Sequence, residues 1–363
     1  MISLFNEKRI NAFGLDISEF SIKTMQLEHT RGGILPRAFS RLALPDKIFN
    51  NHLIASPERL AEYVTRAITA AGNLNTKYVV ASVPEAKSFV RIVKVPKMGD
   101  AELEGAIPYE LEQDIPVPIE QVYMDWQVIG EEAGNYNVLV TATPKDYIDA
   151  YVETLKMAGL KPIALELESQ ATARALIAKE DYGQATLILD MAAEQTSFMI
   201  VIGNGVLEYT SSIPIAGNSF NESISRTLGV SAGEAEKMKR ESGLLADNKK
   251  GNIRQALIPI LDSIIDEIKN VAKFHIDHAA DKKEISKVLL SGGSAALPGV
   301  ADYIAARMNL GAGHPIGKIG LADPWINIAN TDQARQKISL SVEESIGMST
   351  VIGLALRGVN FQG

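Results

Sequence analysis

Two aspartates stand at the ends of apolar stretches, each followed by a turn of small or polar residues: Asp16 in GLDISEFSIK and Asp190 in LILDMAAEQTS. A carboxylate placed beside a hairpin's backbone amides suits one chemistry well. The phosphates of a nucleotide and their magnesium ion need amide donors close by and a carboxylate that reaches the metal through water. Two such hairpins facing each other would clamp the phosphates from both sides. A third stretch, VLLSGGSAALPGV, offers an apolar strand, two glycines that permit close backbone approach, and a helix start. That is an environment for a nucleoside. Each piece alone is a plain hairpin or turn; the order of the three, and the repeat of the first in the second, carry the specificity.

The elements that must position these residues follow from period and punctuation. FGLDI, SIKTMQLEHT and ILPRAFSRLALP read as three strands. A helix then opens at Ser56 and Pro57 and closes at Gly72, with Leu60, Val64, Ala67 and Ile68 at helical spacing. The strand YVVASVP follows. Residues 86–160 form a unit of their own: the strand SFVRIVKVP, a helix from Asp100 that Pro108 should kink or end early, and the strands VYMDWQVIG and YNVLVTATP around the turn EEAGN. The helix PKDYIDAYVETLKMAG closes it. KPIALELE returns to a strand and SQATARALIAK to a helix. ATLILDM then repeats FGLDI, and TSFMIVIGNGVLEYTSSIPI continues as two strands about the turn GNG. Helices dominate from Asn218 to about Ala280; after KVLLSGG and a helix following LPG, the last helix runs from about Val342 to Arg357. Strand–Asp–turn–strand–strand thus occurs twice, which suggests two related lobes.

The bulk numbers bound the rest. The 363 residues are 46% hydrophobic and 22% charged, a globular composition long enough for two or three domains or one bilobed structure. A net charge of −8 argues against a nucleic-acid partner, which wants a basic face, but not against an anion held by backbone amides. There is no cysteine, hence no disulfide or thiolate chemistry. The first residues lack the apolar core of a secretory signal, and no apolar run reaches the roughly 20 residues of a membrane span. A cytoplasmic protein is expected.

GLDISEFSIK, LILDMAAEQTS and VLLSGGSAALPG resemble the phosphate-1, phosphate-2 and adenosine motifs of the actin, Hsp70 and sugar-kinase superfamily. Within it, RIVKVPKMGDAELEGAIPYELEQDIPVPIEQVYMDWQVIG, MAGLKPIALELESQATARAL, GEAEKMK and GMSTVIGLALRG resemble the PilM family of actin-like type IV pilus assembly proteins. The resemblance implies an α/β, actin-like two-lobed fold with duplicated ribonuclease-H-like cores and an inserted α+β subdomain of the kind found in the cell-division protein FtsA. Its expected boundaries are 1–85 for the first half of lobe I, 86–160 for the insert and 161–185 for the return to lobe I. Lobe II would take 186–340, with a helical part at about 218–280, and 341–363 a C-terminal helix returning to lobe I. It also implies ATP and Mg2+ as ligands. Asp16 and Asp190 would face the metal, with Ser18, Ser21 and Lys23 on the first hairpin and Gln195 and Thr196 on the second. Glu168, in ELESQATA, would position an attacking water. Glu234 and Lys237 would contact ribose and adenine, and Gly292, Gly293 and Ser294 the nucleoside. The implied role is that of an adaptor, at most a weak ATPase. It would bind the N-terminal cytoplasmic tail of a PilN-like inner-membrane protein, link it to the pilus motor ATPases, and meet the membrane only through that partner.

Two positions depart from the motifs. Ser18 and Ala192 stand where glycine is usual, and a turn demanding positive φ there would cost roughly 1 kcal/mol or more at each. Other members of the superfamily stay in view. An active sugar or acetate kinase would carry different insertions and a second substrate pocket. A filament-forming FtsA-like protein would end in a basic amphipathic helix, whereas GMSTVIGLALRGVNFQG has a single arginine. The cytoplasmic half of a type II secretion platform protein would lead into a membrane span. The histidines at 29, 52, 275, 278 and 314 lack metal-ligand spacing; His275 and His278 read as surface residues. DNKKGN at 247–252 reads as a solvated loop, and Trp126 as packing.

Overall fold

A computed structural model describes residues 10–45, 47–50, 52–112, 115–202, 205–245, 253–278, 284–308, 316–328, 338 and 340–361. The chain divides into two compact units. The first takes residues up to 175 with 328–339 and 350–363, and the second takes 176–327 and 340–349. The first residues of the GNG turn, DNKKGN and His314 lie outside the described residues.

The first unit is built on a sheet in the order β10-β6-β1-β2-β3, from β1 (Phe13–Ile17), β2 (Ser21–Thr30), β3 (Gly33–Ala43), β6 (Tyr78–Val83) and β10 (Lys161–Leu167). β1 pairs antiparallel with β2 and parallel with β6. As the central strand it is buried along its whole length, which explains a continuous apolar run instead of alternation. α1 (Pro57–Ala71) starts at a proline and ends at Gly72 in a positive-φ cap. It buries Leu60, Val64 and Ala67 against Phe13, Leu15, Ile22 and Val79. Each leucine, isoleucine, valine or phenylalanine so removed from water contributes about 1.5–3 kcal/mol. Two short strands, β4 (Phe49–Asn50) and β5 (Leu53–Ile54), pair as a hairpin before α1.

The insert is a three-stranded antiparallel sheet in the order β7-β9-β8, from β7 (Phe89–Pro96), β8 (Val122–Glu132) and β9 (Asn135–Pro144). α2 (Asp100–Leu111) lays Leu103, Ile107 and Leu111 on Val93, Val95, Val138 and Val140, with Trp126 packed at the margin. Pro108 lies inside α2 and does not end it there: the helix runs to Leu111, and the Glu112 N–H reaches the Pro108 carbonyl. The three buried anchors outweigh the one backbone bond a proline removes. α3 (Lys145–Met157) follows β9 and turns back to the main sheet, where Tyr151 and Leu155 join the core of β1 and β6. α4 (Glu168–Leu176) starts directly after β10.

Near the end of the chain, α9 (Val342–Ile346) and α10 (Ser349–Val359) replace the single helix expected, with Gly347 and Met348 between them. α10 runs so close to β1 that a Cβ on Gly14 would stand 2.6 Å from the Val351 carbonyl oxygen. Glycine is required there by space, not by conformation.

The second unit repeats the arrangement. Its sheet has the order β15-β14-β11-β12-β13, from β11 (Ala185–Met191), β12 (Thr196–Ile202), β13 (Val206–Ile213), β14 (Ile285–Ser291) and β15 (Ile316–Leu321). β11 pairs antiparallel with β12 and parallel with β14, as β1 does with β2 and β6. The core lies between this sheet and α5 (Gly217–Leu228), α6 (Ala232–Ser242), α7 (Ile253–His278) and α8 (Val300–Met308). His275 on α7 is not a surface residue: it is 3% exposed and its Nδ1 lies 2.9 Å from Glu208 Oε2 on β13.

Candidate functional site

The two aspartates occupy equivalent places. Asp16 is the fourth residue of β1 and Asp190 the sixth of β11, each paired with a residue of the antiparallel neighbour, Lys23 and Ser197. The turn after each closes in the same way: the Ser18 N–H donates to the Ser21 carbonyl at 2.9 Å, and the Ala192 N–H to the Gln195 carbonyl at 3.1 Å. Ser18 and Ala192, set where glycine is usual, have no positive φ. These turns therefore impose no conformational cost on a side chain.

In the first unit the carboxylate is held by side chains. Asp16 is 4% exposed. It accepts from Lys23 Nζ at 3.0 Å and from Ser82 Oγ, on β6, at 2.9 Å. Ser18 Oγ and Ser21 Oγ are 3.3 Å apart, and the Ser21 N–H donates to Ser18 Oγ at 3.2 Å. Glu168 is half-buried at the first position of α4, where the helix dipole favours an anion. Its charge acts on Tyr147 and Tyr151 of α3, as the charge of Asp16 does on Tyr151. Asp16, Lys23, Ser82 and Glu168 thus gather at the C-terminal ends of β1, β6 and β10, where ligands of open α/β sheets bind.

In the second unit the turn is held through its backbone. The Gly217 N–H donates to the Ala192 carbonyl and the Asn218 N–H to that of Ala193, so the first turn of α5 grips the loop. Ser294 binds it from the other side, its N–H on the Met191 carbonyl at 3.0 Å and its Oγ on that of Ala192 at 3.1 Å. Gly292, at φ 84°, lies against the aspartate itself: a Cβ there would stand 2.5 Å from Asp190 Oδ1 and from the Met191 carbonyl oxygen. A Cβ on Gly293, by contrast, would meet no atom within 4 Å. The SGG turn therefore has one glycine wedged on the strand end and one facing open space. Thr196 is fully buried with its hydroxyl on the Ile215 carbonyl, and Gln195 reaches Ser197 at 3.5 Å.

α6 does not bring Glu234 and Lys237 together. Both are exposed, and Lys237 lies 3.9 Å from Glu241. The charged residues it turns inward are Glu236 and Lys239, which the sequence reading missed. Lys239 is 5% exposed; its Nζ donates to the Gly217 carbonyl at 3.0 Å and pairs with Glu236 at 2.6 Å. Burial pushes the Lys239 amine down, against the pull of Glu236. Burial pushes the Glu236 carboxyl up, but hydrogen bonds from Lys239, Arg240 and Asn221 outweigh it and hold the group at about 2. The signal available was phase alone: Ala235 and Lys239, one turn apart, mark the buried face.

Chemically, each unit presents a carboxylate on a rigid strand end beside a tight turn. Asp16 accepts only one hydrogen bond on each oxygen from these partners, so lone pairs remain for water in a magnesium shell. Gly293 leaves room for a nucleoside face. Taken unit by unit, these strand ends and turns carry donors and acceptors of the kind that a nucleotide and its hydrated cation use.

The family model for type IV pilus assembly protein PilM matches residues 14–359. Among solved structures, a PilM–PilN type IV pilus biogenesis complex superposes with a TM-score of 0.78 at 24% identity, covering 97% of this chain and 99% of that one. MreB5 of Spiroplasma citri bound to AMPPNP gives 0.51 at 13% identity over 90% and 94%. The cell division protein FtsA of Bacillus subtilis (strain 168) is 22% identical over 279 residues, which is 72% of this chain and only 62% of FtsA. The structural likenesses establish an actin-like fold.

Proposed function

The chain belongs to the family of type IV pilus assembly protein PilM, and on that premise we propose that it is an ATP-binding adaptor of the pilus assembly machinery. The observation that carries the reading is the twin strand–aspartate–turn, closed by the same backbone bond in both units. In this reading Asp16 and Asp190 face Mg2+ through water. Ser18, Ser21, Lys23 and Gln195 flank the phosphates, whereas Thr196, expected among them, is fully buried with its hydroxyl on the Ile215 carbonyl and only supports the turn; Gly292, Gly293 and Ser294 lie on the nucleoside side. Glu168 positions a water. Glu236 and Lys239 join Glu234 and Lys237 as residues of the nucleoside side, since Lys239 supports the carbonyl of Gly217 beside the second turn. Nucleotide acts as a ligand that favours one arrangement by its differential affinity, and turnover is not required.

The proposed partner is the N-terminal cytoplasmic tail of a PilN-like inner-membrane protein, received by the first unit at its inserted sheet. An extended tail binds through a strand edge and apolar pockets. β7 and β8 are the outer strands of the insert, and Ile92, Tyr123 and Val128 are exposed on them. Among the described residues no helix is long and apolar enough to cross a membrane, in keeping with attachment to the inner membrane through the partner. Contact with cytoplasmic motor ATPases would complete the link. Fluorescence anisotropy of a labelled synthetic tail tests this: saturable binding whose affinity changes with Mg·ATP is expected, and a flat titration would remove the adaptor reading.

A further inference from the structure

The register of the first sheet sets three charges in one row. Asp16 of β1 stands opposite Lys23 of β2, and Lys23 opposite Arg41 of β3. Residues opposite each other in antiparallel strands put their side chains on one face, within reach of each other. The row holds one anion and two cations. The side chains of Asp16 and Lys23 are 5% and 17% exposed and form an ion pair of 3.0 Å, whereas Arg41 is exposed. The charge of the buried carboxylate is therefore already met: Lys23 Nζ takes Oδ2 and the Ser82 hydroxyl takes Oδ1. Lone pairs remain for water, but a dication brought to the same carboxylate would meet the ammonium there, and the two repel. Lys23 can leave Asp16 only for another anion, because a largely buried ammonium without one is costly. Arg41, a like charge, offers it nothing on β3. The flexible stem of a lysine gives it the reach to go elsewhere.

We propose, resting on the nucleotide reading, that Lys23 is a tethered counter-ion that changes places with the metal. In the ligand-free chain it neutralises Asp16. On binding it passes to a phosphate oxygen, and Asp16 receives the hydrated cation in its stead. Each half of this exchange by itself strands a charge. With the cation alone, the ammonium would be released with no anion to receive it. With nucleotide but no metal, the ammonium would be drawn away and Asp16 left buried and unmatched. The first turn thus answers to the metal–nucleotide complex and to neither component separately.

The test follows the Lys23 ammonium itself by NMR of the full chain with labelled lysine, its signal assigned by loss in the conservative variant Lys23→Arg. Without ligand the signal should shift in Asp16→Asn, the mark of the ion pair. Saturating Mg·ATP should move it from its ligand-free position and abolish its response to Asp16→Asn. Magnesium chloride alone, and ATP in a chelator, should each leave it in place. A signal that still responds to Asp16→Asn with Mg·ATP bound would overturn the proposal. So would displacement by either component alone, or a ligand-free signal indifferent to that substitution. Calorimetry on the unaltered chain separates the two claims: heat of binding with an unreleased lysine overturns the exchange alone, whereas no heat overturns the nucleotide reading and the exchange with it.

Discussion

The turn after Asp16 and the turn after Asp190 leave equivalent strands of the same sheet order and close with the same backbone bond, yet they are secured by different means. In the first unit a buried carboxylate is held by an ammonium and a hydroxyl, and the loop is cross-braced by two serine side chains. In the second, three backbone N–H groups and one hydroxyl hold the carbonyls of Met191, Ala192 and Ala193, and a glycine lies directly on the aspartate. A duplicated topology thus fixes where an acidic strand end goes, while the groups that brace the turn after it vary with the sequence. The side-chain version depends on the hydroxyls and the ammonium that brace it; the backbone version depends on the absence of side chains around it.

The largest effect should come from filling the space at Asp190. Gly292→Ala adds a Cβ at positive φ, against Asp190 Oδ1 and the Met191 backbone. It should cost the second unit roughly 3 kcal/mol in urea unfolding. A neutral result would break the distinction between the two turns. Next, Lys23→Met leaves Asp16 buried with Ser82 alone, and the first unit should lose about 2 kcal/mol in the same measurement. Ser18→Gly restores the residue usual in the motif but should destabilise by about 1 kcal/mol. It removes the hydroxyl brace and frees the unfolded chain, and the native φ gains nothing from glycine. A gain in stability there would show that the turn wants the left-handed region after all.

The smallest effect sharpens the comparison through pH. Charge in the second unit sits one step behind the turn, on Glu236, Lys239 and Arg240. Glu236 titrates at about 2 in the folded chain against a usual 4.5. Its folded value is the lower, so its contribution is present above pH 4.5 and lost as pH falls toward 2. The side chain is 33% exposed, so solvent screening keeps the contribution under about 1 kcal/mol. Glu236→Gln should flatten the acid limb of the melting profile in that window, and an unchanged slope would place the acid sensitivity elsewhere.

Much of this was legible in the sequence, and the exceptions share a cause. Strands ending in aspartate, glycine caps and the repeated pattern are local signals, and they located both sheets and the SGG turn. Pro108 does not end α2 because the buried face of that helix, not the one lost backbone bond, decides where it stops. His275 read as a surface residue because its partner Glu208 is distant in sequence. Beyond its phase on α6, Lys239 carries no local signal that sets it apart; only its contact with the Gly217 carbonyl of α5 shows its role. The turns after Asp16 and Asp190 looked strained at Ser18 and Ala192 because a residue type was read as a backbone angle. What sequence pattern does not encode is long-range partnership, and the buried charges depend on it.

Calorimetric titration of Mg·ATP into the full chain tests the central claim most directly, that Asp16 and Asp190 serve one magnesium-bound nucleotide. Asp16→Asn and Asp190→Asn should each weaken binding at least about tenfold, with the double variant no worse than the poorer single one, as for two groups acting on one ion. Affinity unchanged in either variant, or no heat of binding in the unaltered chain, would contradict it.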